Sequence, residues 1–416
     1  MELVNPVPVE EVEPWLAALT TTLLGAPWED TFAARVERWQ RDWLAERTWG
    51  VRDRGRWVAT LATDPRTLTI PGRDGATVDL DADALTGVTV AATHRRQGLL
   101  TRMITQSLQQ AADRGDPVGV LIAAEWPIYG RFGYAPAARG ADYTFHTRWA
   151  GANVRPDPSG AVRQVEPDEL AKCAASVFDR SRRRWAGQVD RPGAWWDRRL
   201  GQDGYQAMPD GKGTWILHES DDEPDGLLAW KVTRDFELNG DYGAIEVMEF
   251  EAASDTAYRN LWSYLAAIDV IGEVKLRARP IEEPVRWLLG DGRALEQEYA
   301  GDGIWLRLLD VPKALGARGY AASGRIVLEV VDEDLGGYAA GRYVLDADGS
   351  GASCTRTDES ADLRLSQRAL AAAFLGDHSL RAVGVAGGVD ELTSGALGRA
   401  DAMFATAQKP WNNTGF

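Results

Sequence analysis

The chain of 416 residues has room for two to four domains, three at the usual size. Its 44% hydrophobic and 26% charged residues exclude wholesale disorder and collagen-like repeats, and two cysteines in no metal-type spacing, Cys173 and Cys354, exclude a disulfide scaffold and a zinc ribbon. The net charge of −16, concentrated in residues 151–300 where 19 Lys and Arg face 28 Asp and Glu, leaves no basic footprint for nucleic acid and suits a cationic partner.

The start, MELVNPVPVEEVEPW, has neither the basic n-region nor the apolar h-region of a signal peptide. No run of about 18 apolar residues is present to span a membrane. A cytoplasmic protein that binds no membrane is therefore expected. In EPWLAALTTTLLG, Trp15, Leu16, Leu19, Leu23 and Leu24 recur at helical spacing, and Gly25 ends the helix. A second amphipathic stretch, EDTFAARVERWQRDWLAE, follows Pro27 and Trp28. Strand-like runs come next: TWGVRD, RGRWVATLAT, RTLTIPG and ATVDLDADALTGVTVAA. RRQGLLTRMITQSLQQAADRG reads as an amphipathic helix closed by Gly115, and PVGVLIAA as a buried strand. Residues 85–124 thus form a βαβ unit.

WAGANVRPDPSGAVR (149–163) is rich in Gly, Pro and Asp and places a boundary there. The middle segment repeats the arrangement, with helices in 166–200 and strands at 213–218 and 226–234. The strand GAIEVMEFEA, the helix SDTAYRNLWSYLAAID and the strand VIGEVKLRA form a second βαβ unit. Its turn lacks the Arg-x-x-Gly of the first, as expected of a duplicated fold that has lost its ligand loop. From about 301, strands alternate with Gly and Asp turns, and LSQRALAAAFLG and ELTSGALGRADAMFAT are helical, which reads as a small α+β domain. The expected domains are 1–150, 151–300 and 301–416.

The informative stretch runs from Val88 to Thr101, VTVAATHRRQGLLT. A strand leads into Arg95-x-x-Gly98 and then a helix start. The first turn of a helix has unpaired N–H groups and the positive dipole end, which together bind phosphate. Gly98 lets backbone approach an anion without a Cβ in the way, and Arg95 and Arg96 add charge-assisted bonds. The Gly-Lys-Ser/Thr of a P-loop and the G-x-G-x-x-G of a dinucleotide site are both missing. Alone, such a turn equally suits an ordinary charged helix start. The second element is EWPIYGRFGY (125–134), a cluster of Tyr, Gly and Phe after the second strand of the unit.

Together these motifs resemble the GCN5-related N-acetyltransferases (GNAT). VTVAATHRRQGLL with IYGRFGY is closer still to the enhanced-intracellular-survival (Eis) branch. The resemblance implies an α/β (α+β) fold of tandem GNAT-type domains, the second degenerate, then a sterol-carrier-protein-like α+β domain, over nearly the whole chain. It implies acetyl-CoA as acyl donor, no metal, and a homo-hexamer. Val88 and Val90 would offer backbone to the pantetheine arm. Arg95, Arg96, Gly98, Leu99 and Thr101 would hold the phosphate end. Tyr129 matches the general acid that protonates the leaving thiolate, a phenol of pKa about 10 facing a thiolate of about 8.5. The α-carboxylate of the aromatic last residue, Phe416, matches the general base.

Trp28, Glu29, Asp30 and Trp39 lie in the helical region that covers substrate in such folds, where an acid beside a tryptophan could hold a cationic amine; they equally suit an ordinary helix start. Glu125 either orients an amine or caps local backbone. Trp126, Phe132 and Tyr134 are assigned to packing, and His94 to shaping the turn. The function expected is acetyl-CoA-dependent N-acetylation of a cationic small-molecule amine, aminoglycoside-like and at one or several nitrogens, or of a lysine side chain. The alternative is a non-catalytic protein that binds acyl-CoA or lipid.

Overall fold

The computed structural model describes residues 1–25, 31–149, 151–200, 213–237 and 242–416. It divides into two compact units. The first comprises residues 1–138, 304–408 and 415–416; the second comprises 139–303 and 409–414.

The first part of the chain supplies strands β1 (Glu2–Val4), β2 (Thr48–Asp53), β3 (Arg56–Pro71), β4 (Thr77–Val90), β5 (Val118–Ile122) and β6 (Ala135–Pro136). The middle part supplies β7 (Arg139–His146), β8 (Ala161–Val165), β9 (Gly213–Ser220), β10 (Glu223–Arg234), β11 (Gly243–Ala252), β12 (Ile271–Arg279) and β13 (Leu295–Asp302). Then come β14 (Ile304–Leu308), β15 (Gly324–Val331), β16 (Gly341–Asp348), β17 (Gly351–Arg356), β18 (Leu363–Ser366) and β19 (Val389–Glu391).

In the first unit the order is β1-β2-β3-β4-β5-β14-β6. The helix Leu99–Arg114 buries Leu99, Met103, Ile104, Ser107, Leu108 and Ala111, one stripe at 3.6-residue spacing, against one face of this sheet. The helix Val12–Thr22 lays Trp15, Leu16 and Leu19 on the other face with Trp57 and Ala62. Gly98 and Gly115 bracket the helix Leu99–Arg114 in the left-handed conformation. The two runs RGRWVATLAT and RTLTIPG are one strand, β3, paired along β4 from Ala59 to Pro71. A second sheet in this unit, β17-β16-β15-β18-β19, carries the C-terminal helices Gln367–Phe374 and Ala396–Phe404.

The second unit repeats the plan as β13-β7-β12-β11-β10-β9-β8. Here β11, the helix Asp255–Ala267 and β12 form the second βαβ unit. Each sheet borrows a strand. β14 enters the first sheet between β5 and β6, and β7 enters the second between β12 and β13. The sheets therefore change hands at 138/139 and 303/304, not near 150 and 300. The Gly- and Pro-rich run at 149–163 follows β7 and is already inside the second unit.

Candidate active site

The site begins with a fork in the first sheet. β4 and β5 are parallel, and their ladder covers only Ala82, Asp83 and Ala84 against Val118, Gly119 and Val120. Beyond it β4 runs on to Val90, still paired to β3 but no longer to β5. A bulge turns it away: between the pairs Thr60–Thr89 and Ala62–Thr86, β4 carries one residue more than β3. Gly87 sits there at φ +60°, with the Trp15 ring 3.1 Å from where a Cβ would stand. Thr60 pins the bulge, its Oγ1 2.8 Å from the Gly87 carbonyl and 2.6 Å from Thr89 Oγ1. The backbone of Leu85–Val90 thus offers its β5-facing groups to a ligand, and Val88 and Val90 are half-buried against the core beneath.

The fork leads to the helix start. Arg96 (φ +62°) and Gly98 (φ +76°) are both left-handed, and no side chain caps the helix Leu99–Arg114. Arg95, Arg96, Gly98 and Thr101 are exposed; Leu99 is buried in the core, so it can offer only backbone. His94 is tied through Nδ1 to Thr93 (2.8 Å) and through Nε2 to Asp53 (3.4 Å), which places it as a brace for the turn. These donors fit a pyrophosphate: first-turn amides with no side-chain cap, the dipole end and exposed guanidiniums. The fork edge fits the amide-bearing arm of acetyl-CoA.

Tyr129 ends the short helix Trp126–Tyr129 and is buried in the same core as Val88, Leu99 and Met103. Burial first, and the Glu125 charge second, push its phenol up to about 12. The expected phenol near 10 is thus replaced by one that keeps its proton more firmly. Glu125 is exposed and makes no side-chain cap, which removes its capping role. Phe132 and Tyr134 are packing residues as expected, Tyr134 edge-on to Tyr129 at 6.4 Å. Trp126 is not: it is 59% exposed and lies edge-on to Trp305 at 4.9 Å. Trp39 joins a cluster with Trp15 and Trp43, at 5.5 and 5.9 Å. Trp28, Glu29 and Asp30 lie outside the described residues.

Phe416 is half-buried and groups with the first unit. The residues before it are not frayed: Trp411, Asn412 and Thr414 are buried in the second unit. Among the described residues, no group of three His, Cys, Asp or Glu side chains could hold a metal ion, and no helix is long and apolar enough to cross a membrane.

Two residues of the site escaped the sequence. Thr60 is an ordinary threonine in a strand, with no signal of its role. Arg307 did leave one, as a lone charge inside the apolar run IWLRLL. It is fully buried on β14 and donates to the Phe132 carbonyl, three residues after Tyr129, and to the Leu335 carbonyl at 2.5 Å.

Family models for an acetyltransferase (GNAT) domain match residues 4–137 and 187–308, and a sterol carrier protein domain matches 311–413. An uncharacterised N-acetyltransferase of Streptomyces griseus is 38% identical over 415 residues, 97% of either chain. The N-acetyltransferase Eis of Mycobacterium tuberculosis is 34% identical over 348 residues, 82% of this chain and 81% of that one. The chain belongs to the Eis-type N-acetyltransferases. The crystal structure of Eis1 from Mycobacterium abscessus superposes over all of both chains with a TM-score of 0.83 at 28% identity. A GCN5-related N-acetyltransferase of Anabaena variabilis, at 19% identity and a TM-score of 0.82, shares the fold. Two GNAT domains are followed by a sterol-carrier-like domain, and acetyl-CoA is the donor that GNAT acetyltransferases use.

Proposed function

We propose that this enzyme acetylates a primary amine of a cationic substrate, an aminoglycoside-like molecule at one or several nitrogens or a lysine side chain, with Tyr129 as acid and the Phe416 carboxylate as base. The supporting observation is the open β4–β5 fork ending at an uncapped, arginine-flanked helix start, with the proton-retaining Tyr129 in the same core. Val88 and Val90 would hold the arm of acetyl-CoA through backbone, and Arg95, Arg96, Gly98, Leu99 and Thr101 its phosphates. Bound acetyl-CoA would supply an acetyl group on a thioester whose leaving group is a thiolate.

The chain's own residues then have two proton tasks. An amine of pKa about 10.4 is protonated at neutral pH and must lose a proton to become a nucleophile. The terminal carboxylate of Phe416 is the group proposed to take it, its basicity rising as it is desolvated. Tyr129 aims a phenolic O–H at the departing sulfur. A phenol near 12 is too weak an acid to transfer its proton fully to a thiolate of about 8.5 in water, so its main contribution is a hydrogen bond that strengthens as charge develops. Trp39 and Glu125, with Trp28, Glu29 and Asp30, are the proposed amine contacts. The acidic middle of the chain favours a cation. A homo-hexamer in the cytoplasm completes the proposal, and sedimentation measures the oligomer.

The test is CoA release from acetyl-CoA with aminoglycosides, lysine peptides and simple diamines, run on the native chain and on one extended by two residues past Phe416. Turnover that collapses on extension supports both the acetylation and the terminal base. Turnover indifferent to extension removes Phe416 from the mechanism. CoA binding without turnover on any amine would favour a sensing protein.

A further inference from the structure

The second unit keeps the fork but has filled it. β11 and β12 pair in parallel from Gly243–Ile271 to Val247–Leu276 and then part. β11 carries an extra residue at Met248, between the pairs Ala229–Glu249 and Trp230–Val247, as β4 does at its own bulge. Here, however, Arg279 reaches from β12 to the Phe250 carbonyl of β11 at 3.3 Å, neutralised by Glu283 at 2.7 Å, and both are buried. The Phe250 carbonyl is thus already taken where a pantetheine arm would pair.

Residues 409–414 bridge the parted strands. Trp411 Nε1 donates to the Ala278 carbonyl of β12 (2.6 Å), and its ring lies edge-on to Trp185 at 5.5 Å and under the Arg279 guanidinium at 5.0 Å. Asn413 Nδ2 donates to Glu251 of β11 (2.8 Å). Arg191 holds Thr414 Oγ1 through Nε at 3.0 Å, Glu249 through Nη1 at 3.0 Å and Glu251 through Nη2 at 3.4 Å. The backbone N–H of Val189 donates to Asn412 Oδ1 (3.2 Å), and that of Trp411 to the Ala186 carbonyl (2.8 Å). The Trp411 backbone packs close over Gly187, which sits at φ +93°: a Cβ there would stand 3.1 Å from the Trp411 carbonyl oxygen.

Three charges are sealed in to achieve this: the Arg191, Glu249 and Glu251 side chains are 1%, 3% and 2% exposed. Buried ion clusters are a weak source of stability compared with apolar packing, and fixing one geometry is their best-attested use. What this cluster fixes is the run up to Thr414. Phe416 lies two residues beyond Thr414, and two residues span at most about 7 Å. We propose that the filled fork of the second GNAT-type domain is a socket for residues 409–414, and that Arg191, Glu251 and Asn413 are positioning residues for the Phe416 carboxylate. This rests on the reading of that carboxylate as base.

Full-length Asn413→Ala, Thr414→Val and Thr414→Ser chains, beside the chain extended past Phe416, test it. Truncating Arg191 would strand the buried Glu251 and leave Glu249 with Arg199 alone, so these milder changes are used. Turnover is measured with an amine that the native chain acetylates. Removal of Phe416 by carboxypeptidase Y is followed by intact mass. For Asn413→Ala and Thr414→Val, kcat should fall about tenfold to a hundredfold, the cost of an ångström-scale misplacement. KM for acetyl-CoA should stay within about twofold, since Arg95, Gly98 and Thr101 are untouched. Trimming should quicken, and Thr414→Ser, which keeps the hydroxyl, should restore native behaviour. Unchanged trimming overturns the socket. Faster trimming with native kcat overturns the positioning role. Full turnover by the extended chain overturns the base and the positioning role with it, while the trimming rates still decide the socket.

Discussion

Replacing Arg307 by methionine should unlock the turn that carries Tyr129. Arg307 and Asp332 are both fully buried, with Nη2 3.4 Å from the carboxylate. The guanidinium also holds the carbonyls of Phe132 and Leu335, and Asp332 accepts the Ala339 N–H at 3.0 Å. Methionine keeps much of the volume but strands a buried carboxylate and two carbonyls. Breaking a buried pair from one side costs about 3–5 kcal/mol. At roughly 2–4 °C per kcal/mol for a domain of this size, the thermal midpoint should drop by about 6–20 °C. Adding Asp332→Asn removes the stranded charge and should recover about 1–3 kcal/mol, a coupling that independent sites do not show. Where Arg307→Met is still folded, kcat should fall about tenfold or more as Tyr129 loosens. KM for acetyl-CoA should hold, because the fork is built on β4. Calorimetry and CoA release measure these. A loss of under about 1 kcal/mol, or strictly additive single variants, would refute the clamp.

As the proposed acid, Tyr129 should set the alkaline limit. Its pKa is raised to about 12, so the proton is retained as pH climbs, and kcat at saturating substrates should stay level to about pH 10.5; half-loss near pH 10 would mean an ordinary phenol. Tyr129→Phe should cut kcat by about 10²–10⁴ with acetyl-CoA affinity unchanged in equilibrium binding. Gly98→Ala meets no neighbour but must adopt φ +76°, which costs about 1–2 kcal/mol and should raise the acetyl-CoA KM about tenfold with little change in kcat. Burial pushes the Cys354 thiol up to about 12, so at pH 8 its thiolate fraction is about 10⁻⁴. An Ellman titration of the native chain should therefore find no more than Cys173 before denaturant is added.

The proposed anion-binding half of the site is legible because it is local. A helix start with Arg95, Arg96 and Gly98 is written in consecutive residues, and its chemistry follows from first-turn amides. The helix Leu99–Arg114 and both βαβ units were legible for the same reason, since a 3.6-residue stripe between apolar runs needs no tertiary information. What was not legible depends on partners far along the chain. β7 and β14 look like strands of the domains they adjoin in sequence, yet each completes the other sheet, because hydrogen-bonding partners leave no mark in a strand's own composition. Thr60 is decisive only because Gly87 lies opposite it. Trp126 is similar: an indole in an aromatic cluster reads as a core residue, but it is exposed, edge-on to Trp305. The aromatic Phe416 stands out in the sequence, while the anchorage through Asn412, Asn413 and Thr414 involves groups more than 160 positions away, the Val189 N–H and the Arg191 and Glu251 side chains.

The two βαβ units show how one scaffold diverges to opposite ends. At the first helix start the cap is Gly98, with no side chain, so the first-turn amides and the dipole remain available to an anion. At the second, Ser254 accepts from the Ala257 N–H at 2.9 Å and donates to Asp225 at 2.5 Å. The amide is satisfied internally, and the carboxylate beside it repels a phosphate. Asp225 is further held by His218 at 2.5 Å, whose Nε2 meets Asn260 of the same helix at 2.9 Å, so the substitution is locked into a buried network. The fork beyond is closed by Arg279. Restoring acetyl-CoA binding there would require replacing the cap, removing the charge and emptying the fork together. No single substitution restores it. A helix start that satisfies itself gains about 1 kcal/mol from its cap.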